Sequence, residues 1–264
     1  MRWLMRDGIS LAYQEAGSGD PPLLFIHGWA GDHTFFAPQV ERFSRDHRTV
    51  AVDLRGHGES DTPQQDYTID SFADDLAWLC GELRMARPIV VGHSMGGAIS
   101  LALAARHPGL PAAVVMVDGS ASSLLGPLSA PDPRVQLLQG MRGPEYRELA
   151  QRFADQMMFL DTDDPQRRAR IVERVTSVPQ HVLASAMEQT WTYDVASAAS
   201  ACKVPALYIQ SARPRPEVAR LQELCPQLIV GRTVGAGHFN QLEVPDQVNA
   251  MIERFLKISD LAPR

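Results

Sequence analysis

The residues Gly92-His93-Ser94-Met95-Gly96 read Gly-x-Ser-x-Gly, with Gly97 and Ala98 next in line. That pattern arises by chance in roughly one chain in ten of this length, so its surroundings decide what it means. Before it, Ile89-Val90-Val91 is the short apolar run of a buried strand. After it, Ala98, Leu101, Ala102 and Ala105 share one face of a helix. A serine on so sharp a strand-to-helix turn is held in a strained backbone and needs small neighbours, which Gly92, Gly96 and Gly97 provide. The helix N-terminus then points at the serine and favours developing negative charge. This is an arrangement for nucleophilic attack on a carbonyl by Ser94.

A serine hydroxyl is a weak nucleophile until a base takes its proton. Of the eight histidines, His238 is the candidate, in the small-residue loop Gly235-Ala236-Gly237-His238-Phe239 between an apolar strand run and the last helix. His93 adjoins Ser94, but strand alternation turns it to the opposite side, which predicts a structural role. The base in turn needs an acid to fix its tautomer and stabilise the imidazolium. Asp118 ends the apolar run Val114–Val117 just before Gly119 and is the preferred candidate. Glu217, in the stretch 208–217 that contains no aspartate, is the alternative. Both keep the order serine, acid, histidine. Two backbone N–H groups are expected to receive the oxyanion, each worth about 3–4 kcal/mol. One belongs to Met95 and the other to Trp29, in the loop His27-Gly28-Trp29 after the run Leu23–Ile26; the Trp29 indole is also placed as a wall of the acyl pocket.

The elements that must position these groups alternate. Strand runs at 9–15, 23–26, 50–52, 89–91 and 113–117 are interleaved with helical periodicity, clearest at Ile69, Phe72, Leu76, Leu79 and Leu83. That order implies a parallel sheet covered by helices. From residue 120 to 199 the strand runs stop, and helical segments follow one another at 144–158, 165–175 and 180–191. Strand runs resume at 206–209 and 228–230, and a last helix starts at Pro245. The expected organisation is a core of residues 1–119 and 200–264, interrupted by a helical cap over 120–199.

Composition agrees without specifying chemistry. The 264 residues are 45% apolar and 21% charged with a net charge of −6, and no Lys/Arg block suggests nucleic-acid binding. Cys80, Cys202 and Cys225 are too few and too far apart for a disulfide framework or metal-ligand spacing. No signal-peptide-like or membrane-spanning apolar stretch is present, so a cytoplasmic protein without membrane insertion is expected.

His27-Gly28-Trp29, Asp53-Leu54-Arg55-Gly56-His57-Gly58-Glu59-Ser60, Gly92-His93-Ser94-Met95-Gly96-Gly97 and Gly237-His238, in this order, resemble the α/β-hydrolase superfamily. The resemblance implies an α/β-hydrolase fold: an eight-stranded, mostly parallel sheet with a cap inserted after the sixth strand. It implies Ser94 as nucleophile, His238 as base, Trp29 and Met95 as oxyanion donors, and a structural turn over Asp53–Ser60. The acid position after the penultimate strand, usual in the family, is vacant here. Haloalkane dehalogenases and cofactor-free ring-cleaving dioxygenases place the acid one strand earlier, which supports Asp118. A serine at the elbow argues against the aspartate-nucleophile dehalogenases and epoxide hydrolases.

The expected activity is that of a serine hydrolase of small, mainly apolar esters, thioesters or lactones, needing no cofactor and no metal. Its partner is a small-molecule substrate. Trp29, His33, Met158, Trp191 and Phe239 are the expected substrate contacts, with Met157, Phe159, Tyr193, Phe35 and Phe36 nearby; for His33 a place at a helix entry or in solvent is the alternative. A second reading is cofactor-free oxygenation or C–C cleavage, suggested by the Asp32-His33 pair and the His-Ser of the elbow. A third is a non-catalytic ligand receptor.

Overall fold

Each apolar run assigned to a buried strand is one in the computed structural model, which describes residues 1–129, 131–213 and 215–263. The strands are β1 (Arg2–Arg6), β2 (Ile9–Ala16), β3 (Leu23–Ile26), β4 (Thr49–Val52), β5 (Ile89–His93), β6 (Ala113–Val117), β7 (Ala206–Gln210) and β8 (Leu228–Arg232). They form one eight-stranded sheet in the order β1-β2-β4-β3-β5-β6-β7-β8. β1 and β2 are antiparallel to their neighbours, and all other pairs are parallel. The sequence reading assigned no strand to 2–6. This edge hairpin carries exposed Trp3 and Met5, so no apolar run marks it. Its signal is the Asp7-Gly8 pair between Arg6 and Ile9, both at positive φ, the signature of a two-residue hairpin turn.

Side chains of the parallel strands alternate between two faces, each covered by helices. On one face Leu23, Phe25, Val91, Val115 and Ile209 meet α1 (Ala37–Phe43) and α11 (Pro245–Ile258) through Phe36, Val40, Phe43, Val248, Ile252 and Phe255. On the other, Leu24, Ile26, Val50 and Val90 pack with α2 (Ile69–Glu82) and α3 (Met95–Arg106). Thr68 starts α2 by accepting a hydrogen bond from the Ser71 N–H, and Ile69, Phe72, Leu76 and Leu79 bury its apolar stripe as the periodicity predicts.

Between β6 and β7 come α4 (Pro133–Met141), α5 (Tyr146–Met157), α6 (Pro165–Ser177), α7 (Gln180–Thr192) and α8 (Val195–Ala201). The first four join one buried cluster with Leu24, Ile26 and Trp29 through Leu138, Met141, Ala150, Ala154, Ile171, Val175, Val182 and Leu183. α8 differs. Val195, Ala198 and Ala199 join Ala98, Leu101, Met116 and Tyr208 on the sheet, so α8 covers β6 and β7 and runs across the expected cap boundary at residue 199. Its alanine-rich sequence offers little apolar periodicity, which is why composition alone did not separate it from the insert. Two short helices, α9 (Glu217–Leu224) and α10 (Asn240–Glu243), complete the chain.

Candidate active site

Ser94 and Asp118 leave adjacent strands at the same level, each one residue past the register pair His93 and Val117. Both are non-glycine residues at positive φ, 51° and 42°. The Ser94 N–H donates to the Val117 carbonyl (3.0 Å), and the Asp118 N–H to the Ile209 carbonyl (2.8 Å), so each turn is stapled to the next strand. Close packing makes the glycines obligatory: a Cβ on Gly92 would lie 2.0 Å from the Gly96 carbonyl oxygen, and one on Gly96 would lie 2.3 Å from that of Ile26. α3 therefore begins directly beneath Ser94.

His238 reaches the same end of the sheet from the loop after β8. Its Nδ1–H donates to Asp118 Oδ2 at 2.7 Å, while Asp118 Oδ1 accepts the Ser211 N–H at 3.0 Å. Asp118 is fully buried. Burial pushes its carboxyl up, but the hydrogen bond and charge of His238 and the Arg215 guanidinium outweigh it and hold the group far below the usual carboxylate range. Burial is also the main influence on His238, lowering it from 6.5 against the raising effect of Asp118; Arg215 and Arg213 lower it further. No hydrogen bond joins Ser94 Oγ to the His238 ring, although both residues line one cavity. Such contacts are often loose before substrate closes the site.

The loop that carries His238 is gripped on every side. Glu243 accepts the N–H groups of Gly237 (2.7 Å) and Phe239 (3.2 Å), one on each side of the histidine. The His238 N–H donates to the Met158 carbonyl (3.2 Å). His93 donates from Nε2 to the His238 carbonyl (2.8 Å). On the other side of Ser94, His27 donates from Nδ1 to the Gly28 carbonyl and accepts the Leu54 N–H at Nε2, fixing the loop that presents Trp29. The N–H groups of Trp29 and Met95 have no acceptor among the described residues.

The cavity measures about 530 Å³ and is walled mainly by apolar side chains. Trp29, Met158 and Trp191, the expected substrate contacts, line it, with Met157 and Phe153 beside them. The Trp29 indole N–H donates to the Leu183 carbonyl at 2.9 Å, so this wall is anchored to α7. His33 and Phe239 are not among the lining residues. Both the backbone N–H and Nδ1 of His33 bond Asp53 Oδ1, at 2.7 and 2.8 Å, which places His33 at the entry of a 3-10 turn over His33–Phe36. Asp32 caps that turn through the Thr34 N–H and pairs with Arg174 of α6 at 2.8 Å. Phe239 packs edge-on against Phe35 (5.6 Å) and stacks on Phe159 (5.8 Å). Phe36 lies on the far face of the sheet.

Glu217 does line the cavity, but its nearest charged partner is Arg215 Nη1 at 3.6 Å, and His238 bonds Asp118 instead. Sequence reasoning missed Arg215, whose Nη2 donates to Asp118 Oδ2 at 2.6 Å. It lies in the stretch 208–217, and nothing in that stretch marks a cation as the partner of an acid 97 residues away. Arg134 and Arg152, also in the cavity wall, lie on α4 and α5, where helical periodicity does not mark a lone cation. Among the described residues no group of three or more His, Cys, Asp or Glu is placed to hold a metal ion, and no helix is long and apolar enough to cross a membrane.

Comparison with known proteins gives the same architecture. The enol-lactonase of Burkholderia xenovorans superposes with a TM-score of 0.86 at 26% identity, covering 97% of this chain and 100% of that one. A thermophilic esterase of Thermogutta terrifontis gives 0.86 at 25% identity, covering 98% and 99%. Over 110 residues the chain is 43% identical to 2-(acetamidomethylene)succinate hydrolase of Mesorhizobium japonicum; the match covers 42% of this chain and 39% of that enzyme's length. A sequence profile of the alpha/beta hydrolase fold matches residues 21–245, and the chain belongs to that family.

Proposed function

We propose that the protein is a serine hydrolase that cleaves a small carboxylic ester, thioester or lactone through an acyl-enzyme. The observation that carries this reading is the Nδ1–H bond from His238 to buried Asp118, at the same cavity end as Ser94 on its strained turn. With Nδ1 protonated and held by Asp118, Nε2 is the basic nitrogen. In the first step Ser94 Oγ bonds to the carbonyl carbon as its proton passes to His238 Nε2. The carbonyl electrons move to the oxygen, which is received by the N–H groups of Trp29 and Met95. Collapse re-forms the carbonyl and breaks the bond to the leaving oxygen or sulfur, which takes the proton from His238. Water, deprotonated by the same nitrogen, then attacks the acyl-serine; collapse breaks the bond to Ser94 Oγ, which takes that proton from His238, and frees the acid. The esterase and lactonase chemistry of the structural neighbours named above supports this reading. The helices from α4 to α7 act as a lid over the cavity, while α8 belongs to the core.

A fluorophosphonate probe tests the mechanism. It is expected to label wild-type protein at Ser94 and to leave Ser94→Ala unlabelled, in parallel with hydrolysis of p-nitrophenyl butyrate. Absence of labelling between about pH 6 and 9, where His238 is neutral for much of the range, would sink the acyl-enzyme. The oxygenase reading drew on Asp32 and His33, whose side chains here are committed to the turn cap, to Arg174 and to Asp53.

A further inference from the structure

Three arginines enter the apolar cavity wall, and they are not equivalent. Arg215 is bound to Asp118 Oδ2 and faces Glu217. Arg134, on α4, is neutralised by Asp132, with 2.9 Å from Nε and 2.6 Å from Nη2 to its Oδ2, and also reaches the carbonyls of Ser122 and Gly126. Arg152, on α5, is exposed at the cavity rim with neither an ion pair nor a hydrogen bond among the described residues, and it lines the cavity beside Leu149, Phe153 and exposed Gln156. Residues 149, 152, 153 and 156 are spaced 3, 1 and 3 apart, so they form one face of α5. That face is apolar through Leu149 and Phe153 and ends in a guanidinium and a carboxamide.

We propose that the substrate carries a carboxylate at the end remote from its scissile carbonyl, and that Arg152 binds it. An unneutralised guanidinium at the edge of an apolar cavity selects for an anion, because a planar pair of N–H donors matches a carboxylate and strengthens as water leaves. Gln156, one turn along the same face, supplies a neutral donor beside it. The body of the substrate lies against Trp29, Phe153, Met158 and Trp191, and its carbonyl lies at Ser94. A neutral chain of the same length leaves Arg152 solvated and gains nothing from it, so the charge acts on substrate choice more than on the chemical step. The inference rests on the hydrolase reading for the position of the carbonyl, but binding of the carboxylate does not require turnover.

The test compares p-nitrophenyl hydrogen glutarate with p-nitrophenyl butyrate as substrates of wild-type and Arg152→Gln protein. In parallel, calorimetric titration of glutarate is carried out on Ser94→Ala and on Ser94→Ala/Arg152→Gln. The wild type is expected to favour the hemiester by about tenfold or more in kcat/KM, mostly through KM, with the preference shrinking as salt screens the pair. Arg152→Gln is expected to bring the ratio near one and to abolish glutarate binding. Equal kcat/KM for both esters in the wild type, or an equal fall for both in Arg152→Gln, would overturn the proposal. Arg152-dependent glutarate binding without hydrolysis of any ester would uphold the carboxylate site and refute the hydrolase. Cleavage of the butyrate ester with neither preference for the hemiester nor glutarate binding would do the reverse.

Discussion

Arg215 Nη2 lies 3.2 Å from His238 Nδ1, and both nitrogens are directed at a single oxygen, Asp118 Oδ2. Two donors converge there, so the short Arg215–His238 separation is a crowding of like partners rather than a bond between them. Arg215 holds the acid in place and also works against protonation of the base. His238 must be neutral to accept the Ser94 proton, so the acid limb of kcat/KM falls below the ordinary histidine value of about 6.5. In Arg215→Gln the opposing charge is gone and the limb moves to higher pH. A pH–rate profile checks this. A limb that stays in place or moves to lower pH would remove Arg215 from the electrostatics of the base.

Asp118 and Glu217 give opposite expectations under the same conservative change. Asp118→Asn keeps the shape but lets the side chain donate to Nδ1, which favours the wrong tautomer of His238. A fall in kcat on the order of 10⁴ is expected. Glu217→Gln leaves the His238–Asp118 bond intact, and kcat is expected to change by less than about tenfold. Steady-state kinetics on one ester distinguishes them, and the reverse ranking would return the acid to Glu217.

Much of the sheet was legible because parallel strands buried on both faces must be continuous apolar runs, as Leu23–Ile26 and Ala113–Val117 are. Ser94 and Asp118 stand out as candidates because each ends such a run, at the strand ends where clefts form; His238 stands out by its small-residue loop, since β8 before it is partly exposed. The hairpin strand at Arg2–Arg6 was not, since an exposed edge carries no apolar pattern. The places of His33 and Phe239 were misread for a different reason. Both sit in loops, where proximity in sequence to a functional residue does not fix the direction of a side chain; Asp53 captures one and Phe35 and Phe159 the other. Arg215 and Glu243 act through partners 97 and at most 6 residues away. Neither contact follows from periodicity, because each is made by loop geometry.

The positive φ of Ser94 has a thermodynamic consequence. A non-glycine residue in such a conformation costs about 1–3 kcal/mol, which the packing of Gly92 against Gly96 sustains. Ser94→Gly and Ser94→Ala both remove the hydroxyl, but only glycine relieves the strain. Ser94→Gly is therefore expected to be more stable than Ser94→Ala by about 1 kcal/mol, offset in part by greater freedom of the unfolded chain. Denaturant midpoints measure the difference. Equal stabilities, or a more stable alanine variant, would show that the turn stores no strain at this residue.

Glu243 makes the base loop sensitive to pH. Burial, together with the nearby Asp163, pushes its carboxyl up from 4.5 to about 7, although the N–H groups of Gly237 and Phe239 favour the charged form. Because the folded protein holds this proton more tightly than the unfolded chain, the associated stability is fully present below about pH 4.5. It is lost as pH rises through about 7. The change is expected to be on the order of 1–2 kcal/mol after allowance for partial exposure. Glu243→Gln cannot titrate, and its amide accepts only one of the two N–H groups at a time. That variant is expected to be less stable than the wild type at the acid end, by about the one lost hydrogen bond, and to lack the wild type's decline between about pH 4.5 and 7. Its kcat is also expected to fall more than its KM changes, because the loss loosens the loop carrying His238 rather than the cavity wall. Thermal denaturation across that range, with kinetics at its ends, tests both statements. A Glu243→Gln stability curve parallel to that of the wild type would show that the carboxyl does not titrate there.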